Sequence, residues 1–578
     1  MSSNHEQGLN RRQLVGGAIA GAAAGAAALH AGGLSPQRAV AQEATPITEE
    51  VGTPPEGTFA TLHQLPLSTS GDTFKVVVPD VGQPRPDQNN ETTTWMEQNT
   101  GIKLEWTIVP GDNALEQMQL ILAGGDLPDA FFAWGYTNLA PTQINAYGDQ
   151  GFFIDLSDKL EANAPNFLAL SKDWEASRQM VTSPDGKIYA LPAINDCYHC
   201  SMPQKFWINQ EWLTKLGLEI PKTPEEMKSV LMAFKEGDPN GNGKPIYPIS
   251  VAAGTGLGDL DAFLMNPFQF SPGDPWLYLD DDNTVTAAFI KDGWKDGIKY
   301  LADLYANGLI DPDSFTQTDD QMYTKTKNPE YPGIGGAPSF WKATFIDFQS
   351  PFFKQYQPIP QLTGPTGLQQ TTRRYYNIGS VGGIQITSSC KNPELLLQWA
   401  DNLYGHEQTK AADSGTPGTY WRWAKPGELG IDGKPAITFD IKQPQAVADK
   451  ATNWWGLGST WRSSTYRFGS AVSGPRDENT ETILYDATKE FQEPYAVPQT
   501  KILPTLSFTV DQSAALSLSA TNIGSLVKQR FANWVTGQGN PDDEWAAYLD
   551  ELNSVGFEEY LKTYQDAWSQ SPFNSQKQ

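Results

Sequence analysis

The chain is 578 residues long and acidic, with 41 Lys and Arg against 67 Asp and Glu. One hydrophobic core stops growing at about 250–300 residues, so more than one domain is expected. The net charge of −26 argues against nucleic acid or an anionic membrane surface as a partner.

Arg11 and Arg12 precede an Ala- and Gly-rich apolar run from Leu14 to Leu29, and Ala39-Val40-Ala41 offers a small-x-small cleavage site. Residues 1–41 therefore read as a secretory signal. The paired arginines and weakly apolar core favour the twin-arginine type over an ordinary secretory signal. With no Cys at the cleavage site, a lipid anchor is not expected. Residues 42–72 are rich in Pro, Thr and Glu without periodicity and read as a flexible leader. No later run approaches the ~18 apolar residues of a membrane helix. The mature protein is expected to be exported, periplasmic or extracellular, without a membrane span, and monomeric.

The fold begins at Phe74–Val78, a strand ended by Pro79, and a helix carrying Trp95 and Met96 closes at Gly101. Ile102, Leu104, Trp106 and Ile108 alternate as a second strand. A helix over Leu115–Ala123 stops at Gly124-Gly125, and Leu127–Phe132 leads into a third strand. This alternation predicts a parallel sheet with right-handed crossovers. Parallel sheets bind ligands at the carboxyl ends of their strands, which places Trp134 and Tyr136 at a cleft.

The richest stretch runs from Leu191 to Ser250. A strand over Phe206–Ile208 follows an apolar segment containing Pro192. Thr223 as N-cap, Pro224 at the first helical position and Glu226 three residues on form a capping box. Met227, Val230, Leu231 and Phe234 then share one helical face. Cys197-Tyr198-His199-Cys200 is open between a disulfide and a pair of free thiols. Zinc is disfavoured, because adjacent residues rarely turn onto one ion and there is no second ligand pair. In DPNGNGK, Asp238, Asn240 and Asn242 take positions one, three and five of a calcium loop, with Lys244 offering its carbonyl. Position twelve is Ile249 instead of the bidentate Glu of a complete site, so the alternatives are a weak structural calcium and an Asn-Gly turn.

The order "YALP, strand, N-x-x-W-L-x-K-L-G-L-x-x-P-x-T-x-E-E, helix, D-P-N-G-N-G-K" resembles the extracellular solute-binding proteins of ABC importers. It is nearest to the branch that binds oligosaccharides such as alginate fragments. MQLILAGGDLPDAFF and NGLIDPDSFT repeat the likeness, which covers roughly residues 73–570. The resemblance implies a two-lobed α/β Venus-flytrap fold with parallel-rich sheets and a helical C-terminus. Residues 73–192 and 383–503 are assigned to lobe one, and 193–382 and 504–578 to lobe two. Hinge crossings are expected near Pro192, Gly379–Gly382 and Pro504.

Further along, an insert over residues 254–282 holds Trp276, and Trp294, Ile298, Leu301 and Tyr305 mark a helix. A glycine-rich strand ends at Trp341, which by analogy with sugar-binding relatives is a stacking platform; a core tryptophan is the rival reading. SSCKNPELLLQWADNLY is a helix with its start signal, and residues 412–500 are irregular and ring-rich. Helices follow from Asp511. The candidate ligand contacts are Trp134, Tyr136, Asn195, Asp196, Trp276, Trp341, Trp421 and Trp455. There is no Gly-x-Ser-x-Gly and no phosphate loop. The expected function is capture of an oligosaccharide or related glycan for a permease powered by a separate ATPase, with no enzymatic activity and no cofactor beyond the possible calcium. The alternatives are a peptide binder of the same fold and an exported carbohydrate-active enzyme.

Overall fold

The computed structural model describes residues 50–575, apart from 57, 81–85, 88, 133–138, 175, 184, 245, 253–257, 328–332, 349, 375–379, 442–451, 455–456, 459, 472–473 and 507. In chain order the strands are β1 (Thr73–Pro79), β2 (Lys103–Val109), β3 (Ala130–Phe132), β4 (Leu191–Asn195), β5 (Lys205–Asn209), β6 (Leu277–Leu279) and β7 (Val285–Ala287). They continue with β8 (Gly336–Ser339), β9 (Tyr356–Pro358), β10 (Ser380–Ile386), β11 (Trp421–Trp423), β12 (Thr438–Asp440), β13 (Trp461–Arg462) and β14 (Ser470–Ala471).

Lobe one is organised on a six-stranded sheet of order β13-β4-β10-β3-β1-β2. β1 runs parallel to β2 and β3, and β4 parallel to β13. β10 is antiparallel to both β3 and β4, so it alone opposes the other five. The alternation of the pleat explains the residue choice. Phe74, Val76, Val78, Ala130, Phe132, Ile384 and Ile386 fill one core, with Leu396, Leu397 and Trp399 of the helix Pro393–Asn402. Val77 and Phe131 point the other way, onto Met118 and Leu122 of the helix Ala114–Gly124. Both faces are covered, which is why these strands read as near-continuous apolar runs.

Lobe two carries the sheet β8-β5-β9, with β5 antiparallel to both neighbours. Phe206, Trp207 and Ile208 pack with the helices Pro224–Glu236, Asp292–Ala306, Val510–Val535 and Pro541–Ser554 in one large core. The predicted start of the first helix is present: the Thr223 side chain accepts from the Glu226 amide at 3.1 Å. Glu226 returns its bond to the Lys222 amide at 2.7 Å, one residue before the cap.

Two expectations need correction, the leader and the last crossing, and the crossing expected near Pro192 is sharpened. From residue 50 onward the leader is docked on lobe one. Leu62 N–H donates to Asn166 Oδ1 at 2.7 Å, His63 Nε2 sits 2.8 Å from the buried Asp401 carboxylate, and Trp423 N–H donates to the Val51 carbonyl at 2.9 Å. These are isolated hydrogen bonds with no period, which is why the segment reads as unstructured. Pro192 lies inside β4, so the first crossing falls between Asn195 and Lys205, through the short helix Tyr198–Ser201. The last crossing precedes the helix Thr480–Phe491, because Leu484, Ala487, Val497 and Ile502 belong to the lobe-two core.

Candidate functional site

The carboxyl ends of the parallel strands bring together Pro79, Val109, Phe132, Asn195 and Arg462 on one edge of the large sheet. β4 and β13 are locked in register there: Asp196 N–H donates to the Arg462 carbonyl at 2.9 Å. The next residues after β13 form the short helix Ser464–Phe468, started by Ser463, whose side chain accepts from the Tyr466 amide. Ser464 and Arg467 lie three apart and share one face of that helix. Each serves one of two successive residues, Asn195 at the end of β4 and Asp196 just past it. Ser464 donates its amide to Asp196 Oδ2 at 3.2 Å and its hydroxyl to the same oxygen. Arg467 Nη1 donates to Asn195 Oδ1 at 2.8 Å.

The other arm of Arg467 grips both oxygens of Glu481, at 2.9 and 2.8 Å. Glu481 belongs to the helix that packs into lobe two, so this fork spans the junction between lobes. Burial alone would raise the Glu481 carboxyl, but the facing cations, Arg467 foremost and then Arg462, outweigh it and hold the pKa at about 2. His199 lies 4.0 Å from Glu481, yet its own burial and the facing cations push its pKa down to about 3. It is therefore neutral at pH 7. Lys205, the first residue of β5, is fully buried and donates to the Met202 carbonyl at 2.9 Å; burial lowers its pKa to about 7. Beside this cluster Arg462 faces Asp413 at 3.5 Å, and the Tyr466 hydroxyl donates to Asp413 at 3.0 Å.

Cys197 and Cys200 are joined as a disulfide, the first of the two alternatives left open by the sequence. The bridge closes the turn that carries the chain between lobes. Within it, Tyr198 packs on Phe468 and Tyr485, and His199 lies 5.6 Å from Phe340 at the end of β8.

The sequence-predicted residues fall into three groups. Asn195 and Asp196 are half-buried and stand together at the sheet edge. Trp341 is half-buried at the exit of β8, edge-on to Trp207 and Phe353. Trp276 and Trp421 are core rings and need correcting: Trp276 is 6% exposed with its indole N–H on Asp261, and Trp421 is fully buried with its N–H on the Gly415 carbonyl. Neither presents a face for stacking in this conformation. Trp134, Tyr136 and Trp455 lie outside the described residues. Arg467 and Glu481 were missed. Nothing local marks them, since 272 residues separate Arg467 from Asn195.

The DPNGNGK loop is an exposed turn. Asp238 Oδ1 and Oδ2 accept from the amides of Asn242 and Gly243 at 3.2 and 3.0 Å, and Asn242 Oδ1 from Lys244 at 3.0 Å. Ile249, at the twelfth position, is fully buried and bridged to Ile310 and Gly336. One carboxylate with Asn240, Asn242 and Lys244 does not make the donor set of an EF-hand calcium site.

Comparison with known proteins supplies the family. The chain is 27% identical over 500 residues to the fructooligosaccharide ABC transporter substrate-binding protein FusA of Streptococcus pneumoniae, covering 83% of this chain and 86% of that protein. A structure of the S. pneumoniae protein, an EF-hand mutant in complex with fructo-nystose, superposes with a TM-score of 0.70 at 26% identity, covering 87% of this chain and all of that one. A solute-binding protein from Bifidobacterium longum infantis, described as HMO-binding and ABC-transporter-associated, shares the fold with a TM-score of 0.72 at 24% identity, over 86% of this chain and 99% of that one. The pattern described as bacterial extracellular solute-binding protein matches residues 66–410, and the chain belongs to that family.

Proposed function

We propose that this protein captures an oligosaccharide in the cleft between its lobes and presents it to a membrane permease driven by a separate ATPase. The observation that carries the reading is the polar edge at Asn195 and Asp196, which lies at the carboxyl ends of a parallel-rich sheet and beside the crossings between lobes. Such an edge can hydrogen-bond sugar hydroxyls, and the S. pneumoniae relative is named for a fructooligosaccharide. Export by the signal in residues 1–41 and action as a monomer complete the proposal. Among the described residues no helix is long and apolar enough to cross a membrane.

The test separates a carrier from an enzyme. Purified protein is incubated with labelled glycans, and bound and free sugar are analysed for chain length. Stoichiometric capture of intact sugar supports the carrier. Turnover to shorter products would make the protein a carbohydrate-active enzyme instead.

A further inference from the structure

Arginine is a donor only, so the atom of Asn195 that Arg467 meets is the amide oxygen. That contact fixes the orientation of the amide and leaves its Nδ2, with two N–H groups, without a protein partner among the described residues. Asp196 is complementary: Oδ2 is taken by Ser464, and Oδ1 has no protein donor among the described residues. A donor and an acceptor on successive residues are therefore both held by the helix Ser464–Phe468. Each suits a hydroxyl group, which both donates and accepts.

The cations at this edge are committed elsewhere. Arg467 divides its guanidinium between Asn195 and both oxygens of Glu481, and Arg462 faces Asp413. Arg373 Nη1 donates to the Val497 carbonyl and Arg374 Nε to the Pro272 carbonyl, each at 2.6 Å. The unpaired Arg373 Nε and Arg374 Nη2 are closed off from solvent. A sugar carboxylate arriving at Asn195 would meet the Asp196 carboxylate, which is bonded only by the neutral Ser464, while Arg467 and Arg462 are engaged by Glu481 and Asp413, leaving no uncommitted cation among the described residues to receive it.

Building on the oligosaccharide reading above, we propose that the site selects neutral oligosaccharides over uronate-containing ones. Asn195 and Asp196 read the sugar hydroxyls, and Arg467 is the positioning residue for the Asn195 amide.

The experiment titrates the full mature chain by calorimetry with a neutral panel (kestose, maltotriose, lacto-N-tetraose) and a uronate panel (trigalacturonate, trimannuronate). At least one neutral sugar binds, and the uronates bind about 100-fold more weakly or not at all. Asn195→Ala and Asp196→Asn each weaken the neutral sugar about 10-fold, with melting temperatures checked to count only folded protein. Arg467→Lys keeps the charge but cannot serve Asn195 and both Glu481 oxygens at once. It weakens binding like Asn195→Ala, and the double variant is no weaker than either single one, because Arg467 acts through Asn195. Uronates bound as tightly as neutral sugars would overturn the selectivity and leave the oligosaccharide reading intact. Full affinity in Asn195→Ala, or additive losses in the double variant, would overturn the residue roles. Binding of no glycan would overturn the selectivity and the oligosaccharide reading together.

Discussion

Lys205 is a charge the fold buries at a cost, and replacing it with Met should stabilise the protein in a pH-dependent way. Its amine is fully buried, with carbonyls of Met202 and His199 at 2.9 and 3.4 Å and the Phe340 ring 5.8 Å away. Burial lowers its pKa from 10.5 to about 7, which corresponds to about 5 kcal/mol at ~1.4 kcal/mol per pH unit. The unfolded chain holds this proton up to pH 10.5, whereas the folded chain releases it near 7. The cost is therefore full below pH 7 and fades as pH rises from 7 to 10.5. Met follows the same unbranched path and carries no charge, but it forfeits the two carbonyl contacts, about 1–2 kcal/mol in all. Lys205→Met should gain about 3 kcal/mol at pH 6, with the gain shrinking to nothing or reversing near pH 10. Denaturant unfolding of both proteins at pH 6, 8 and 10 measures the difference, in which all shared titrations cancel. A variant less stable than wild type at pH 6, or a difference flat with pH, would refute the reasoning.

Three further outcomes follow from the packing. Trp421→Ala should cost about 3–5 kcal/mol of folding free energy, as for a fully buried ring, whereas Trp341→Ala should cost less and weaken sugar binding by about 1–3 kcal/mol; thermal melts beside calorimetry check both. Calcium or EDTA should leave the melting temperature unchanged within about 1 °C, because RT ln(1 + [L]/Kd) is negligible without tight binding; a rise of several degrees with calcium would restore an ion to the DPNGNGK loop. Replacing Cys197 and Cys200 together by Ser should cost about 2 kcal/mol, the loop-closure entropy of so short a ring. A loss above about 4 kcal/mol would mean that the bridge does more than close its turn.

The parts of the fold visible in the sequence are those set by neighbours in the chain. β1 and β3 announce themselves as apolar runs covered on both faces, β2 by an alternation that leaves Lys103, Glu105 and Thr107 exposed, and the helix Pro224–Glu236 because Thr223 and Pro224 start it. Asn195 and Asp196 could be named as candidates; they stand at the end of β4 and just past it. Their side-chain partners could not, since Arg467 reaches Asn195, and Glu481 reaches Arg467, only through the folded chain. Trp276 and Trp421 show the opposite limit: a tryptophan in a loop-rich stretch has the same sequence signature whether it lines a cleft or fills a core. The docking of residues 50–72 was illegible for a third reason, because single hydrogen bonds such as Leu62 to Asn166 impose no period.

A crystal structure of the mature chain with whichever oligosaccharide binds most tightly in calorimetry tests the central claim most directly. The account predicts intact sugar density between the lobes, with hydroxyls within hydrogen-bond distance of Asn195 Nδ2 and Asp196 Oδ1. Sugar bound away from that edge, or density for a cleaved product, would contradict it.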